Sequence, residues 1–359
     1  MSNALSRAVE RYGAFRDEWY ALPALVAVSL LVLAAMPFLR QLALFGVAPL
    51  GWLSLNMLII TLVWATTAQA WNIMSGYTGQ FSFGHAAFFG LGAYTTIILT
   101  GNFSISPWIG MLLSSAIAAV YGLIIGALTF RYDLEGHYFA LATLAFAELL
   151  RYVFTNVAQL GGASGFFRPL AREYADGPGL VAFQFTGDLP YYYLILGFLT
   201  VVTVVSLAIN RSQLGYYLFA IREREQAAAA IGVPTYRYKL LAVAVSAFFT
   251  AWPGAFWAMY FNTIRPSTVF DLLVNVEILL PAIVGGVGTV LGPIVGSLIV
   301  IPVGEFVRQS FEIPGLNNAV YGAILIAIVL YSPKGVISWP SRFVELLRTR
   351  TDLLDDDAA

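Results

Sequence analysis

The chain has 359 residues, of which 59% are hydrophobic and only 11% charged, and its net charge is −1. Its mean hydropathy is +0.77. Soluble domains are about a quarter charged, so the composition excludes a soluble protein, and the near-neutral balance argues against a nucleic-acid binder. Cysteine is absent and there are two histidines, which excludes disulfides, Cys-based zinc sites and a His-rich metal cluster. We expect a membrane protein with no metal and no cofactor.

Apolar runs of bilayer length recur along the chain and predict an all-α fold, a polytopic transmembrane helical bundle. A crossing needs about 20 mostly apolar residues. The eighth of the ten runs is short and contains Glu277 and Pro281, so we expect a broken or re-entrant helix there. The N-terminal residues lack the pattern of a cleaved signal peptide, so the first run is retained as a helix. The predicted membrane segments are 22–38, 52–72, 82–100, 107–130, 137–158, 190–209, 240–261, 273–288, 290–308 and 317–332.

The distribution of basic residues predicts the orientation of the bundle. With ten crossings and the N-terminus inside, roughly two thirds of the 19 Lys and Arg residues lie on the inner side, in agreement with the positive-inside rule. We therefore predict cytoplasmic termini. The predicted parts are a cytoplasmic N-terminal segment (1–21), a transmembrane domain (22–332) and a cytoplasmic C-terminal tail (333–359). Within the domain, 159–189 is an outer loop and 210–239 is the largest inner connection.

The inner connection is predicted to fold into a protruding knob. Gln226 to Ile231 are strong helix formers, and Gly232 and Pro234 follow in the order that ends a helix. A second helix is predicted to begin near Thr235 and to enter the next crossing. We expect a soluble partner to grip this knob, which comprises Arg222, Glu223, Arg224, Glu225, Gln226, Ala227, Ala228 and Gly232. For the charged residues alone, the alternative is a solvated amphipathic face.

Several stretches of the chain, taken together, resemble one protein family. They are "WNIMSGYTGQFSFGHAAFFGLGAYT", "LEGHYFALATLAFAELLRYV", "IREREQAAAAIGVPTYRYKLLAVAVSA", "GGVGTVLGPIVGS" and "SPKGVI". In this order they resemble the M-type permease subunit of bacterial branched-chain amino-acid ABC transporters. The knob resembles the loop that docks such permeases onto an ATPase, although Gln226 stands where that loop has Glu and the downstream Ile-x-Leu-Pro part is missing.

The resemblance implies a permease in the bacterial inner membrane that works with several partners. These are a second, H-type permease subunit, two cytoplasmic ATP-binding subunits and a periplasmic substrate-binding protein. The residues agree that ATP hydrolysis occurs elsewhere, because the two lysines, Lys239 and Lys334, do not stand in a Gly-Lys-Ser/Thr motif. We find no nucleophile–base pair, so a membrane enzyme is the weakest alternative. An ion-coupled secondary transporter of amino acids, using Glu277, Glu305 or His85, is the stronger one.

Two glycine clusters interrupt otherwise apolar segments. Gly76, Gly79 and Gly84 do not keep the four-residue spacing of close helix packing, and Gln80 and Ser82 lie between them. We therefore predict a helix break at 76–84 and a new helix from about His85. Interrupted segments in both halves indicate a central site, and an inverted repeat is a hypothesis. The residues predicted beside the translocation path are Gly76, Tyr77, Gly79, Gln80, Ser82, Gly84, His85, Gly285, Gly286 and Gly288.

The polar residues within apolar runs have alternative interpretations. A helix beginning near His85 would offer free amides to a passing carboxylate, whereas the His85 side chain itself better fits a hydrogen bond between helices. Glu277 and Glu305 are isolated acids, functional unless a partner on another helix makes them structural. Glu148 and Arg151 are three residues apart and are expected to pair locally.

Overall fold

The computed structural model describes residues 20–40, 52–167, 179–311, 315–332 and 335–339. Nearly all of the predicted N-terminal segment, the middle of the predicted outer loop and most of the predicted C-terminal tail lie outside these ranges. Within them the chain is almost entirely helical, which confirms the all-α prediction.

Thirteen α-helices occur in the described part of the chain. The first seven are α1 (Ala21–Leu39), α2 (Leu55–Trp71), α3 (His85–Phe103), α4 (Pro107–Arg131), α5 (Gly136–Asn156), α6 (Gly179–Ala182) and α7 (Asp188–Asn210). The remaining six are α8 (Gln213–Ala230), α9 (Thr235–Phe261), α10 (Pro266–Val269), α11 (Leu272–Gly285), α12 (Gly292–Ser310) and α13 (Leu316–Tyr331). Two short strands, β1 (Phe166–Phe167) and β2 (Thr263–Ile264), pair antiparallel at one end of the bundle.

Each of the ten predicted membrane segments coincides with a helix. By length and composition, eight described helical segments can cross a bilayer, with α10 and α11 taken together as Pro266–Gly285. The 19 residues of α12 and the 16 of α13 occupy the last two predicted positions. The short eighth segment is α11, whose 14 residues span only about 21 Å and so fall short of a hydrocarbon core about 30 Å thick.

Helix α2 lies at the centre of the bundle. Every residue from Met57 to Trp71 is buried, because α7, α9, α11 and α12 pack around it. By contrast, α1, α4 and α5 lie at the periphery and expose large apolar side chains such as Leu31, Val120 and Leu141. A helix that is apolar on all sides and buried all round is a core helix, whereas the exposed apolar faces suit lipid or another membrane subunit.

Small residues let α3, α4 and α9 approach closely. A Cβ atom added at Gly92 would collide with the backbone of Ala251, and one added at Gly254 would collide with the backbone of Phe89. Gly122 lies similarly against Ala247. Membrane helices lack a hydrophobic driving force for association, so close backbone contacts of this kind supply dispersion energy instead.

Candidate functional site

The first break follows a π-helical turn at the end of α2. Residues Asn72–Gly76 form this turn, the helix continues to Thr78, and α3 begins at His85. The predicted start of the break at Gly76 is therefore wrong, because the wider turn keeps the backbone hydrogen-bonded beyond it. Gly79 ends the helix with φ +75°, a conformation that glycine adopts without strain. The break comprises residues 79–84.

A second break separates α11 from α12. It contains Gly286 and Gly288, whose φ angles are +131° and +82°. A Cβ atom at Gly285 would collide with the carbonyl of Gly292, so the end of α11 and the start of α12 lie in close backbone contact across the six residues that join them. Both predicted glycine clusters thus interrupt helices, and π turns and unwound segments of this kind are frequent at functional sites of membrane proteins.

Asn72 connects the π turn before the first break to the second break through hydrogen bonds. Its Oδ1 accepts a hydrogen bond from the Gly288 amide at 2.7 Å, and its Nδ2 donates one to the Thr289 carbonyl at 2.9 Å. The side chain is fully buried and so satisfies backbone groups that the second break leaves free of a helix. We define the junction as Asn72, Gly76, Gly79, Gly288 and Thr289.

Arg222 connects the junction to α8. Its Nη1 donates a hydrogen bond to the Gly76 carbonyl at 2.8 Å. A Cβ atom at Gly288 would collide with the same guanidinium, and one at Gly79 would lie 3.1 Å from Cγ of Arg222. The glycines therefore leave the space that this side chain occupies, and the predicted knob and the two predicted breaks meet at one place.

The segment between Gly79 and His85 is held in a fixed position. Trp71 Nε1 donates to the Ser82 carbonyl at 3.0 Å, and the Phe83 amide donates to Thr143 Oγ1 at 3.1 Å. A Cβ atom at Gly84 would lie against the Thr143 carbonyl. Gln80 is buried, yet its Oε1 has no hydrogen-bond partner among the described residues. Gln80 therefore carries an unpaired acceptor that is enclosed by the protein in this structure.

His85 bonds to groups on both sides of its ring. Its Nε2 lies 2.8 Å from Ser246 Oγ, and its Nδ1 lies 3.1 Å from Ser82 Oγ. Ser246 donates its proton to the Ala70 carbonyl, so its oxygen accepts from His85 Nε2–H, and Nδ1 then accepts from Ser82. The neutral ring is fully buried and links α3 to α9. The imidazole has no nitrogen left for a passing substrate.

Two other residues predicted beside the path are occupied by the protein itself. Tyr77 is buried, and its hydroxyl lies 2.7 Å from Ser206 Oγ on α7. At the start of α3, the Ala86 amide donates to Asn275 Oδ1 at 2.8 Å, so this amide is not free for a carboxylate. Sequence reasoning missed Asn72 and Asn275, although an asparagine in an apolar run is a signal that can be searched for.

The knob is a kinked helix followed by a turn. The backbone of Arg224 is extended (φ −162°, ψ 99°), so a short helix from Glu225 to Ala230 is set at an angle to the rest of α8. Gly232 turns the chain with φ +90°, and a Cβ atom there would meet nothing within 4 Å. At its tip Ile231 is 81% exposed, a residue that the sequence interpretation did not select.

The inner side of the knob is packed and charge-paired. Ala228 is buried against Ile221 and Val233, so its side chain is not available to a partner. Glu225 pairs with Lys239 of α9 at 2.5 Å, and the Lys239 ammonium lies 4.6 Å from the Phe130 ring centroid at the end of α4. Buried charges persist only when paired, so this contact fixes the knob to α9 and α4.

The isolated acids differ in their partners. Glu305 is buried and pairs with Arg308 on its own helix, whereas Glu277 makes no hydrogen bond or ion pair with any residue that the structure describes. Glu148 and Arg151 pair at 2.7 Å, as the three-residue spacing predicts.

The fold and the junction define a class: a multi-pass helical membrane protein with two interrupted helices and a projecting knob. The chain matches the family described as "Branched-chain amino acid transport system / permease component" over residues 53–329. The match covers most of the chain, which therefore belongs to this family and is an ABC importer permease. This result favours the permease over the ion-coupled secondary transporter.

Two relatives agree with the family match. The chain is 26% identical over 333 residues to the high-affinity branched-chain amino acid transport system permease protein LivM of Escherichia coli (strain K12), an alignment that covers 87% of this chain and 74% of that protein. It is 24% identical over 302 residues to the protein of the same name from Salmonella typhimurium (strain LT2), covering 79% of this chain and 70% of the relative.

Proposed function

We propose that the chain is the M-type subunit of a binding-protein-dependent importer of branched-chain or closely related amino acids. With a second, H-type permease subunit it forms the translocation path in the bacterial inner membrane. Two cytoplasmic ATP-binding subunits hydrolyse ATP, and a periplasmic protein delivers the substrate. Both termini and the knob lie on the cytoplasmic side, in keeping with the basic residues around the knob.

In this proposal the knob converts ATPase closure into movement of the broken helices. The ATPase contacts the exposed tip around Ile231 and Gly232. Because the Glu225–Lys239 pair fixes the knob to α9, a push on the tip moves α8 and α9 together. Arg222 then carries the displacement to Gly76 in the π-helical turn, two residues before the helix ends at Thr78 and the break at 79–84 begins.

The observation that carries this proposal is the hydrogen bond from Arg222 to Gly76. It joins Arg222 of the knob with the π turn that precedes the first helix break, over a single contact of 2.8 Å. A route of this kind requires no substrate or ATP site within the knob itself. It also gives the unpaired Gln80 acceptor a role beside the path, at the place where movement is delivered.

ATP dependence is tested with the complete transporter in proteoliposomes. We expect uptake of labelled leucine to require ATP, intact partner ATPases and the binding protein, and to persist when the proton gradient is dissipated. Uptake that continues with the ATPases disabled would contradict the proposal and favour ion coupling. Replacement of Gln80 by Leu is expected to lower uptake while the ATPase subunits still co-purify with the permease.

Docking is tested with a matched pair of glycine variants. Gly232 and Gly187 have φ angles of +90° and +94°, and an added Cβ atom meets nothing within 4 Å at either position. Leu at each position therefore introduces similar backbone strain, but at opposite ends of the bundle. We expect Gly232→Leu to reduce co-purification of the ATPase and Gly187→Leu to leave it unchanged. Equal effects of the two variants would refute docking at the knob.

A further inference from the structure

A cavity of about 210 Å³ lies at the other end of α2 from the junction. It is lined by the first three turns of α2, the second turn of α13, the last turns of α9, the middle of α11 and the C-terminal half of α12. Its volume is below the roughly 300–1,000 Å³ of pockets for drug-sized ligands, so it suits a molecule of a few heavy atoms. If the termini are cytoplasmic, the cavity faces the side from which substrate is delivered.

One side of the cavity carries charges that do not balance. Glu277, Glu305 and Arg308 all line it. Glu305 pairs with Arg308, whereas Glu277 makes no hydrogen bond or ion pair with a described residue. The Arg308 side chain is 60% exposed, and a guanidinium has five N–H donors, so it retains donors for a second carboxylate. The cavity thus offers an acceptor for a cation next to a donor for an anion.

Another part of the cavity lining is aromatic. The rings of Trp64 and Trp257 lie 5.7 Å apart between centroids, and Phe261 lies 4.4 Å from Trp257. These side chains form a rigid apolar surface that accepts an aliphatic group. Aromatic side chains of this kind offer a bare metal ion no ligand atoms. A purely apolar molecule would leave the Glu277 carboxyl without a partner, at a cost in free energy.

We propose that this cavity binds a free α-amino acid with an apolar side chain. The α-ammonium group pairs with Glu277, the α-carboxylate pairs with Arg308, and the side chain packs on Trp257 and its aromatic neighbours. The ammonium group supplies the partner that Glu277 lacks among the described residues, and the carboxylate uses the N–H donors that Arg308 retains after pairing with Glu305. The inference rests on the proposed import function and assigns the place where the permease first holds the substrate.

Equilibrium binding of tritiated leucine tests the proposal. The complete transporter, without binding protein, is placed in nanodiscs of phosphatidylcholine. We expect saturable binding that unlabelled leucine and valine displace. Two analogues are expected to displace poorly: 4-methyl-2-oxopentanoate, which lacks the ammonium group, and 3-methylbutylamine, which lacks the carboxylate. Glu277→Gln and Arg308→Gln are each expected to weaken binding about ten- to a hundredfold, the range for loss of a charged hydrogen bond.

Glu148→Gln is the matched control. Glu148 also belongs to a Glu–Arg pair three residues apart on one helix, but it lies outside the cavity, so its loss is expected to leave leucine binding unchanged. ATPase activity of each variant reports whether the complex is assembled. Should Glu277→Gln fail to assemble, Arg308→Lys decides the question, because it keeps a positive partner for the buried Glu305 and removes the guanidinium donors that remain for a second carboxylate.

Three results would overturn the inference. They are the absence of saturable leucine binding at millimolar concentrations, unchanged binding in the Glu277 and Arg308 variants, and displacement by phosphoethanolamine in place of leucine, which would assign the cavity to a lipid headgroup. ATP-driven uptake with the binding protein present is measured in parallel. Normal uptake alongside any of these results refutes only the cavity, whereas ATP-independent uptake refutes the proposed import function.

Discussion

The contact between Arg222 and Gly76 predicts a specific phenotype for Arg222→Gln. The variant removes the charged donor whose Nη1 lies 2.8 Å from the Gly76 carbonyl and leaves the rest of α8 intact. If Arg222 transmits movement of the knob, its loss separates ATP hydrolysis from transport. We expect ATP hydrolysis to continue while leucine uptake per ATP falls.

The magnitude follows from the geometry of the bond. A hydrogen bond to a charged group contributes about 1.5–3 kcal/mol, and water competes for the largely exposed Arg222 side chain. About 1–1.5 kcal/mol is therefore at stake, which changes the equilibrium between two conformations about five- to tenfold. Transport per ATP is expected to fall by this factor. Arg222→Lys keeps the charge but offers a single point donor, so an intermediate value is expected.

The assay measures leucine uptake and ATP hydrolysis in the same proteoliposomes. Arg224→Gln is the control, because Arg224 is exposed, lies two residues away and makes no hydrogen bond or ion pair with a described residue. Both variants remove one positive charge from the face that meets the ATPase, so a docking effect is common to them. Only Arg222→Gln removes the bond to the junction.

The outcome that refutes this reasoning is equal behaviour of the two arginine variants. Equal loss of both uptake and ATPase co-purification would assign Arg222 to docking alone. Unchanged uptake per ATP in Arg222→Gln would show that the knob moves the bundle by another route, for which the Glu225–Lys239 pair is the next contact to test.

Three further variants have distinct expected outcomes. Asn72→Ala leaves the Gly288 amide and the Thr289 carbonyl without the Asn72 side chain as their partner; we expect a loss of about 2–4 kcal/mol in the free energy of unfolding and reduced uptake. An unchanged thermal midpoint would contradict a stabilising role of Asn72 at the junction. Ile231→Asp changes an exposed tip; stability should change by less than about 0.5 kcal/mol while ATPase co-purification falls, and normal co-purification would refute contact at the tip. His85→Phe removes the hydrogen bond from α3 to α9 and the one to Ser82 in the break, so thermal inactivation in detergent should occur at a lower temperature; loss of uptake at unchanged stability would instead assign the ring to the path.

Most of the fold could be predicted from the sequence. The bilayer imposes a length on each crossing, and a run of apolar residues reports that length directly, so each predicted segment coincides with a helix. The effect of the glycine clusters on the backbone is also local, so it could be predicted from the sequence. Gly79, Gly286 and Gly288 adopt positive φ angles that end or turn a helix whatever surrounds them, and both predicted breaks occur.

The limits of the two breaks were less predictable. Glycine has a low helix propensity, which placed the start of the first break at Gly76, but the π turn Asn72–Gly76 extends the helix to Thr78. The first residue of the turn, Asn72, hydrogen-bonds to the second break, which is a tertiary contact. A propensity that acts on one residue does not contain this information.

The sequence by itself determined an all-helical membrane protein, the positions of its long helices, its two broken segments and its knob, because each of these follows from residues close together in the chain. Only the tertiary structure decided which of these elements are in contact with one another. Asn72 and Gly288 are 216 residues apart, and Arg222 and Gly76 are 146 apart. Such contacts are set by the packing of whole helices around α2, which no local pattern records. The same packing holds His85 in two hydrogen bonds and leaves Glu277 without one among the residues that the structure describes.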